Sequence, residues 1–153
     1  MTIRAKQVRI PVFVLLLFAL HASSCQWLGE HVFTDRTPCD YYLPEGFVGW
    51  AKITFGVAGA PALRVRNGHY VVPFSAEGKA ETSTNFEAGS AHDHYWYRTP
   101  HGVLELPETG WGGGGLVWAG FVEGSAKEPP VSEGFFVGTE RQYFKAVHDP
   151  RGG

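Results

Sequence analysis

His92-Asp93-His94 is the one short stretch whose residue types and spacing suit metal chemistry. On a strand, residues two apart point to the same side, so His92 and His94 share a face. Two imidazoles on one face can hold zinc or copper when a third ligand converges. His69, His101 and Glu87 are candidate thirds, but sequence alone does not place them. The competing reading is a solvated strand end on which the histidines hold nothing. Hydrolytic chemistry needs a nucleophile and a base in mutual contact. Ser83, Ser90, Asp93 and His94 supply the types, but no Gly-x-Ser-x-Gly elbow is present. Glu105 and Glu108 flank Pro107 and read as a solvated loop. Cys39 has no His-containing nucleophile signature near it.

The aromatic residues form the second candidate group. Trp50 lies on the parity opposite Ala51, Ile53 and Phe55. Trp96 shares a parity with His92, His94 and Arg98, while Tyr95 and Tyr97 take the other. Trp111 sits in the glycine-rich run 110–115. Exposed Trp and Tyr stack on sugars or anchor protein contacts. Trp50, Trp96 and Trp111 are therefore candidate ligand-binding residues. The alternative is that the helix of a small sandwich covers the second face. The glycine run lacks the Lys and following helix of a phosphate loop. It reads as a tight turn or bulged strand entry before Leu116-Val117-Trp118.

The segment 1–25 supplies an address. Arg4, Lys6 and Arg9 precede the apolar stretch 10–20, and Ala22-Ser23-Ser24 leads to Cys25. Positive charge, short apolar core and small residues in that order are a secretory signal peptide. Eleven residues are too few for a membrane span, which needs about 20. Ala22-Ser23-Ser24-Cys25 resembles the bacterial lipobox, although Ala22 stands where Leu is usual. The resemblance implies that Cys25 becomes an acylated N-terminus, carrying chains such as palmitate. Two or three chains anchor stably where one does not. By the sorting rules of lipoproteins, Gln26 after the Cys implies the outer membrane if the host has one. Simple secretion to the periplasm or beyond is the alternative.

Removal of 1–24 leaves a chain of one-domain size. The leader holds three of the 13 Lys+Arg and none of the 15 Asp+Glu, so ten basic residues then face 15 acidic ones, a formal charge of −5. That balance argues against nucleic-acid binding, which wants a basic patch. Residues 25–40 read as a lipid-anchored tether, 41–148 as the folded domain and 149–153 as a tail. If Cys25 is acylated, Cys39 is an odd thiol, buried or paired with another molecule; otherwise the two could form a disulfide.

Alternation from Phe47 to Val57 predicts a strand that buries Ala51, Ile53 and Phe55. Further strands are predicted over 63–66, 69–74, 79–84, 95–98, 116–122 and 135–137. Asn67-Gly68 marks a hairpin. Thr139 with Gln142 is a capping box for a helix over 140–147. Short strands between Gly/Pro turns predict an all-β antiparallel sandwich, immunoglobulin-like or transthyretin-like, with one short C-terminal helix.

Three blocks carry a resemblance: Tyr42-Leu43-Pro44-Glu45-Gly46-Phe47-Val48-Gly49-Trp50, Gly110-Trp111-Gly112-Gly113-Gly114-Gly115, and Phe135-Phe136-Val137-Gly138-Thr139-Glu140. In this order, over about residues 41–147, the chain resembles an uncharacterised bacterial lipoprotein-type family labelled only a domain of unknown function. The resemblance implies an envelope domain and transfers no catalytic residue. The expected role is a non-catalytic binding or structural accessory without a cofactor. It would be membrane-tethered through Cys25, with an envelope protein or glycan as partner. A zinc- or copper-binding envelope protein using His92 and His94 is the alternative.

Overall fold

The computed structural model describes residues 35–108 and 114–148. Nine strands and one helix follow in order: β1 (Cys39–Pro44), β2 (Gly49–Phe55), β3 (Arg64–Arg66), β4 (His69–Pro73), β5 (Lys79–Glu81), β6 (His94–Thr99), β7 (Gly102–Glu105), β8 (Val117–Ser125), β9 (Glu128–Val137) and α1 (Glu140–His148). They form a five-stranded sheet, β3-β4-β1-β6-β7, and a four-stranded sheet, β5-β2-β9-β8. The fold is the expected all-β sandwich with a short C-terminal helix.

The sheets are mixed rather than purely antiparallel. β1 pairs in parallel with both β4 and β6, and β2 pairs in parallel with β5. The reason is connectivity. Around Glu77-Gly78 the chain passes from β4 in one sheet to β5 in the other, where β5 lies parallel to β2. Only β3–β4, β6–β7 and β8–β9 are hairpins between consecutive strands. Asn67 and Gly68 turn the first of them at φ 52° and 83°. Positive φ at both central residues is the type I′ geometry that the Asn-Gly pair favours.

Alternation decides the interior. Ala51, Ile53 and Phe55 of β2 are buried, as their parity predicts. They meet Cys39, Tyr41 and Leu43 of β1, Val72 of β4, and Phe135 and Val137 of β9. Tyr41 stacks on Tyr95 at 5.2 Å and tilts against Phe135 at 5.1 Å. Gly134 lets β9 pass between neighbours: a Cβ there would lie 2.5 Å from the Phe121 ring and 2.7 Å from the Ala51 carbonyl oxygen.

β1 is central to its sheet, yet no alternation marks it. Tyr41, Tyr42 and Leu43 are all buried: Tyr41 and Leu43 face the core, and Tyr42 lies against Trp96 and Arg66 of its own sheet. It begins at Cys39, inside the stretch read as tether. β7 also escaped the sequence reading, because Gly102–Glu105 is an exposed edge strand of four residues. The capping box is formed: Thr139 N–H donates to Gln142 Oε1 at 2.8 Å, and Gln142 N–H reaches Thr139 Oγ1 at 3.4 Å.

Candidate functional site

The outer face of the five-stranded sheet gathers the chemistry-bearing side chains. β6 is built of strand-favouring residues, His94-Tyr95-Trp96-Tyr97-Arg98-Thr99. Its register against β1 sets His94 beside Asp40, Trp96 beside Tyr42 and Arg98 beside Pro44. On the other flank Trp96 faces Glu105 of β7. Alternation sends Tyr95 into the core and His94, Trp96 and Arg98 outward.

Side-chain contacts follow that register. Tyr42 and Trp96 stack with ring centres 6.5 Å apart, and Trp96 meets His94 at 6.0 Å. The Arg66 guanidinium lies 5.7 Å from the Tyr42 ring centre and donates to the Tyr42 hydroxyl. Arg98 donates to the Phe74 carbonyl at 2.7 Å. Trp96 Nε1 is buried with no hydrogen-bond partner among the described residues. The result is a half-buried row of rings with a cation at one end.

Three histidines continue the row. His94 lies between His92, 4.9 Å away and edge-on, and His69, 5.5 Å away and stacked. Nδ1 of His69 is 3.0 Å from Asp40 Oδ1, and Nδ1 of His94 is 3.2 Å from Glu105 Oε1. Of the three candidate third ligands, only His69 joins the pair. Glu87 instead accepts from the Tyr70 hydroxyl at 2.8 Å and the Thr37 N–H at 3.0 Å. Those donors, the Thr37 N–H foremost, hold its carboxyl below the usual range. His101 is exposed in the β6–β7 turn. No three of the described His, Cys, Asp and Glu side chains stand in a group that could hold a metal ion.

Asp93 points the other way. Its two oxygens accept from Arg36 Nη1 at 2.9 Å and Nη2 at 2.5 Å, and Oδ1 also accepts from the Cys39 N–H at 2.8 Å. The pair is 13% and 9% exposed. Period two thus separates Asp93 from both histidines, which rules out an Asp93–His94 relay. Arg36, within the predicted tether, is the residue that sequence reasoning missed. A basic residue three before a buried Cys gives no signal without its distant carboxylate.

Around that pair the interior is polar. Cys39 is a buried free thiol that burial pushes up to about 11. A thiol so raised is a poor nucleophile. Burial also raises the Tyr41 hydroxyl and the Glu133 carboxyl, which sits on the inward parity of β9.

The remaining sequence candidates divide. Trp50 is on the outer face of the four-stranded sheet, as its parity predicts, and there it packs against Phe121, Phe136 and Tyr143. Tyr143 of α1 also stacks on Trp118 at 5.3 Å. The helix therefore covers this face, and Trp50 is one of the rings beneath it. Cys25, Trp111 and the segment 1–24 lie outside the described residues. Gly114 and Gly115 border an open groove of about 510 Å³ together with Thr139, Glu140 and Arg141. A strand, β8, follows these glycines, as expected.

No curated protein matches this chain. Residues 35–105 match DUF6843, described as a family of unknown function. That stretch contains the Tyr42–Trp50 block and the whole outer face from β1 to β7. A 2.75 Å crystal structure of a Bacillus anthracis protein named "putative lipoprotein" shares the fold, with a TM-score of 0.55 and 22% identity over 68% of this chain and 71% of that one. The β-sandwich with its histidine- and aromatic-lined outer sheet is thus built on a fold seen in that protein, and its first seven strands coincide with a family of unknown function.

Proposed function

We propose that the chain is an envelope lipoprotein anchored through Cys25, whose sandwich binds a ligand or partner without turning it over. The observation that carries the binding part is the row Arg66–Tyr42–Trp96–His94 on the outer sheet. Flat rings beside a cation and two carboxylates suit a glycan or an envelope protein, which meets stacking surface and hydrogen-bonding groups together. Trp96 is the central candidate, and Trp111 is a second one on sequence grounds. Trp50 serves the packing of α1 in this reading. The raised Cys39 thiol argues only against a thiolate nucleophile at that position. The leader, Cys25 and the likeness to a protein named as a lipoprotein support the address, with the outer membrane as its destination where one exists.

Two variants of the full chain test this. Cys25→Ser removes the acyl acceptor, so the protein should leave the membrane fraction or accumulate uncleaved. Equal fractionation and cleavage of both forms would refute the anchor. Trp96→Ala should abolish retention on isolated cell-wall glycan while the circular dichroism spectrum stays unchanged. Retention equal to wild type would remove Trp96 from the site.

A further inference from the structure

We propose that His92 and His94 form an exchangeable chelate for a divalent ion that prefers imidazole, copper(II) above all, with His69 beside them as the next donor. The proposal does not rest on the lipid anchor or on glycan binding, although His94 belongs to both the chelate and the row of rings.

Geometry is the first argument. Imidazole nitrogens sit about 2.0–2.1 Å from a bound zinc ion, with copper similar, so two such rings on one ion have centres about 4.5 Å apart at a right angle and about 5.2 Å at a tetrahedral one. The His92 and His94 ring centres are 4.9 Å apart at 81°. His69 stands 5.5 Å from His94, a few tenths of an ångström beyond that range.

The carboxylates supply the second argument. Metal-binding histidines usually donate their other N–H to a carboxylate, which fixes the tautomer and makes the remaining nitrogen a better ligand. His94 can donate Nδ1–H to Glu105, and His69 can donate Nδ1–H to Asp40. Each then presents Nε2 as a lone pair. Asp40 and Glu105 also place negative charge next to an incoming cation. Arg36 borders the same depression, but its charge is offset by the bonded Asp93 carboxylate.

Access is the third. His69, His92 and His94 line an open depression of about 320 Å³ with Asp35, Arg36 and Ser90. A hydrated ion can enter and keep its waters. Because no group of three described donors could hold a metal as it stands, the two imidazoles bind the ion with water completing the shell. Such a site is weak compared with a closed four-ligand one. Divalent affinity at nitrogen sites peaks at copper(II), so copper should exceed nickel and zinc.

The test uses the purified full chain in detergent, stripped with chelator and titrated with copper(II) sulfate. Saturation at about one ion per chain is expected, with imidazole-nitrogen splitting in the electron paramagnetic resonance spectrum. His94→Ala and His92→Ala should each weaken binding at least tenfold, whereas His101→Ala, in the exposed turn, should leave it unchanged. Circular dichroism confirms that the variants fold. A titration without saturation, or one left unchanged when His92 and His94 are both replaced, overturns the proposal, because copper would then lie on the amino terminus or elsewhere.

Discussion

Asp93→Asn removes the charge from the most connected buried carboxylate while nearly preserving its shape. Asp93 makes a two-pronged bond to Arg36, at 2.9 and 2.5 Å, and accepts the Cys39 N–H at the edge of β1. Both partners are largely buried. Arg36 cannot shed its proton to escape, because a guanidinium stays charged in proteins even without a carboxylate partner. An Asn in that place turns an N–H₂ or a neutral oxygen toward a positive charge held out of water. Breaking a buried pair by removing one partner costs about 3–5 kcal/mol. Arg36 keeps its bond to the Thr37 carbonyl at 3.1 Å, and both side chains retain some exposure, so about 3 kcal/mol is expected. That is roughly a hundredfold in the folding equilibrium, and a large part of the stability of a domain this size. Urea unfolding followed by tryptophan fluorescence measures it as a lower midpoint at unchanged slope. Replacing both partners with apolar residues, Arg36→Met with Asp93→Leu, should recover much of the loss, because no charge is then stranded. A single-variant cost under about 1 kcal/mol, or a double variant as unstable as the two singles added, would refute this account.

Phe55→Ala should cost about 3–5 kcal/mol in the same assay, because the ring is buried between the sheets and packs edge-on against Phe86; a loss under about 1 kcal/mol would mean the inward parity of β2 is wrong. Glu133→Gln should alter the pH profile. Burial raises the Glu133 carboxyl above its ordinary value of 4.5, so the folded state holds the proton more tightly than the unfolded one. Its contribution is therefore fully present below that ordinary value and is lost as pH rises through the folded value. As pH rises above about 4.5, denaturation midpoints should fall more steeply for wild type than for Glu133→Gln; parallel profiles would show that Glu133 is solvated.

What the sequence made legible was whatever repeats locally. The inward set Ala51, Ile53 and Phe55, the Asn67-Gly68 hairpin and the Thr139–Gln142 box each depend on neighbours within a few residues. The shared face of His92, His94 and Trp96 was legible for the same reason. Pairings made across the fold were not. In β1 both parities are aromatic or aliphatic, Tyr42 being buried against Trp96 and Arg66 of its own sheet, so Tyr41-Tyr42-Leu43 shows no period to read. The parallel pairings of β1 with β4 and β6 depend on where the chain crosses between sheets, which turn residues do not encode. Arg36 belongs to the fold only because Asp93 lies 57 positions later.

β6 and the residues just before it carry two programmes on opposite faces. Inward, Asp93, Tyr95 and Tyr97 serve the fold: Asp93 holds Arg36 and the start of β1, Tyr95 packs on Tyr41 and Phe135, and Tyr97 donates to the Phe47 carbonyl at 2.6 Å. Outward, His92, His94, Trp96 and Arg98 form the candidate site. A slip of one residue in the β1–β6 register would exchange the two sets, placing histidines in the core and Asp93 in water. The Arg36–Asp93 pair opposes that slip, because its bonds form only when Asp93 faces inward. The pair that stabilises the interior therefore also fixes which side chains the outer face presents, so the site's geometry and the domain's stability depend on one contact.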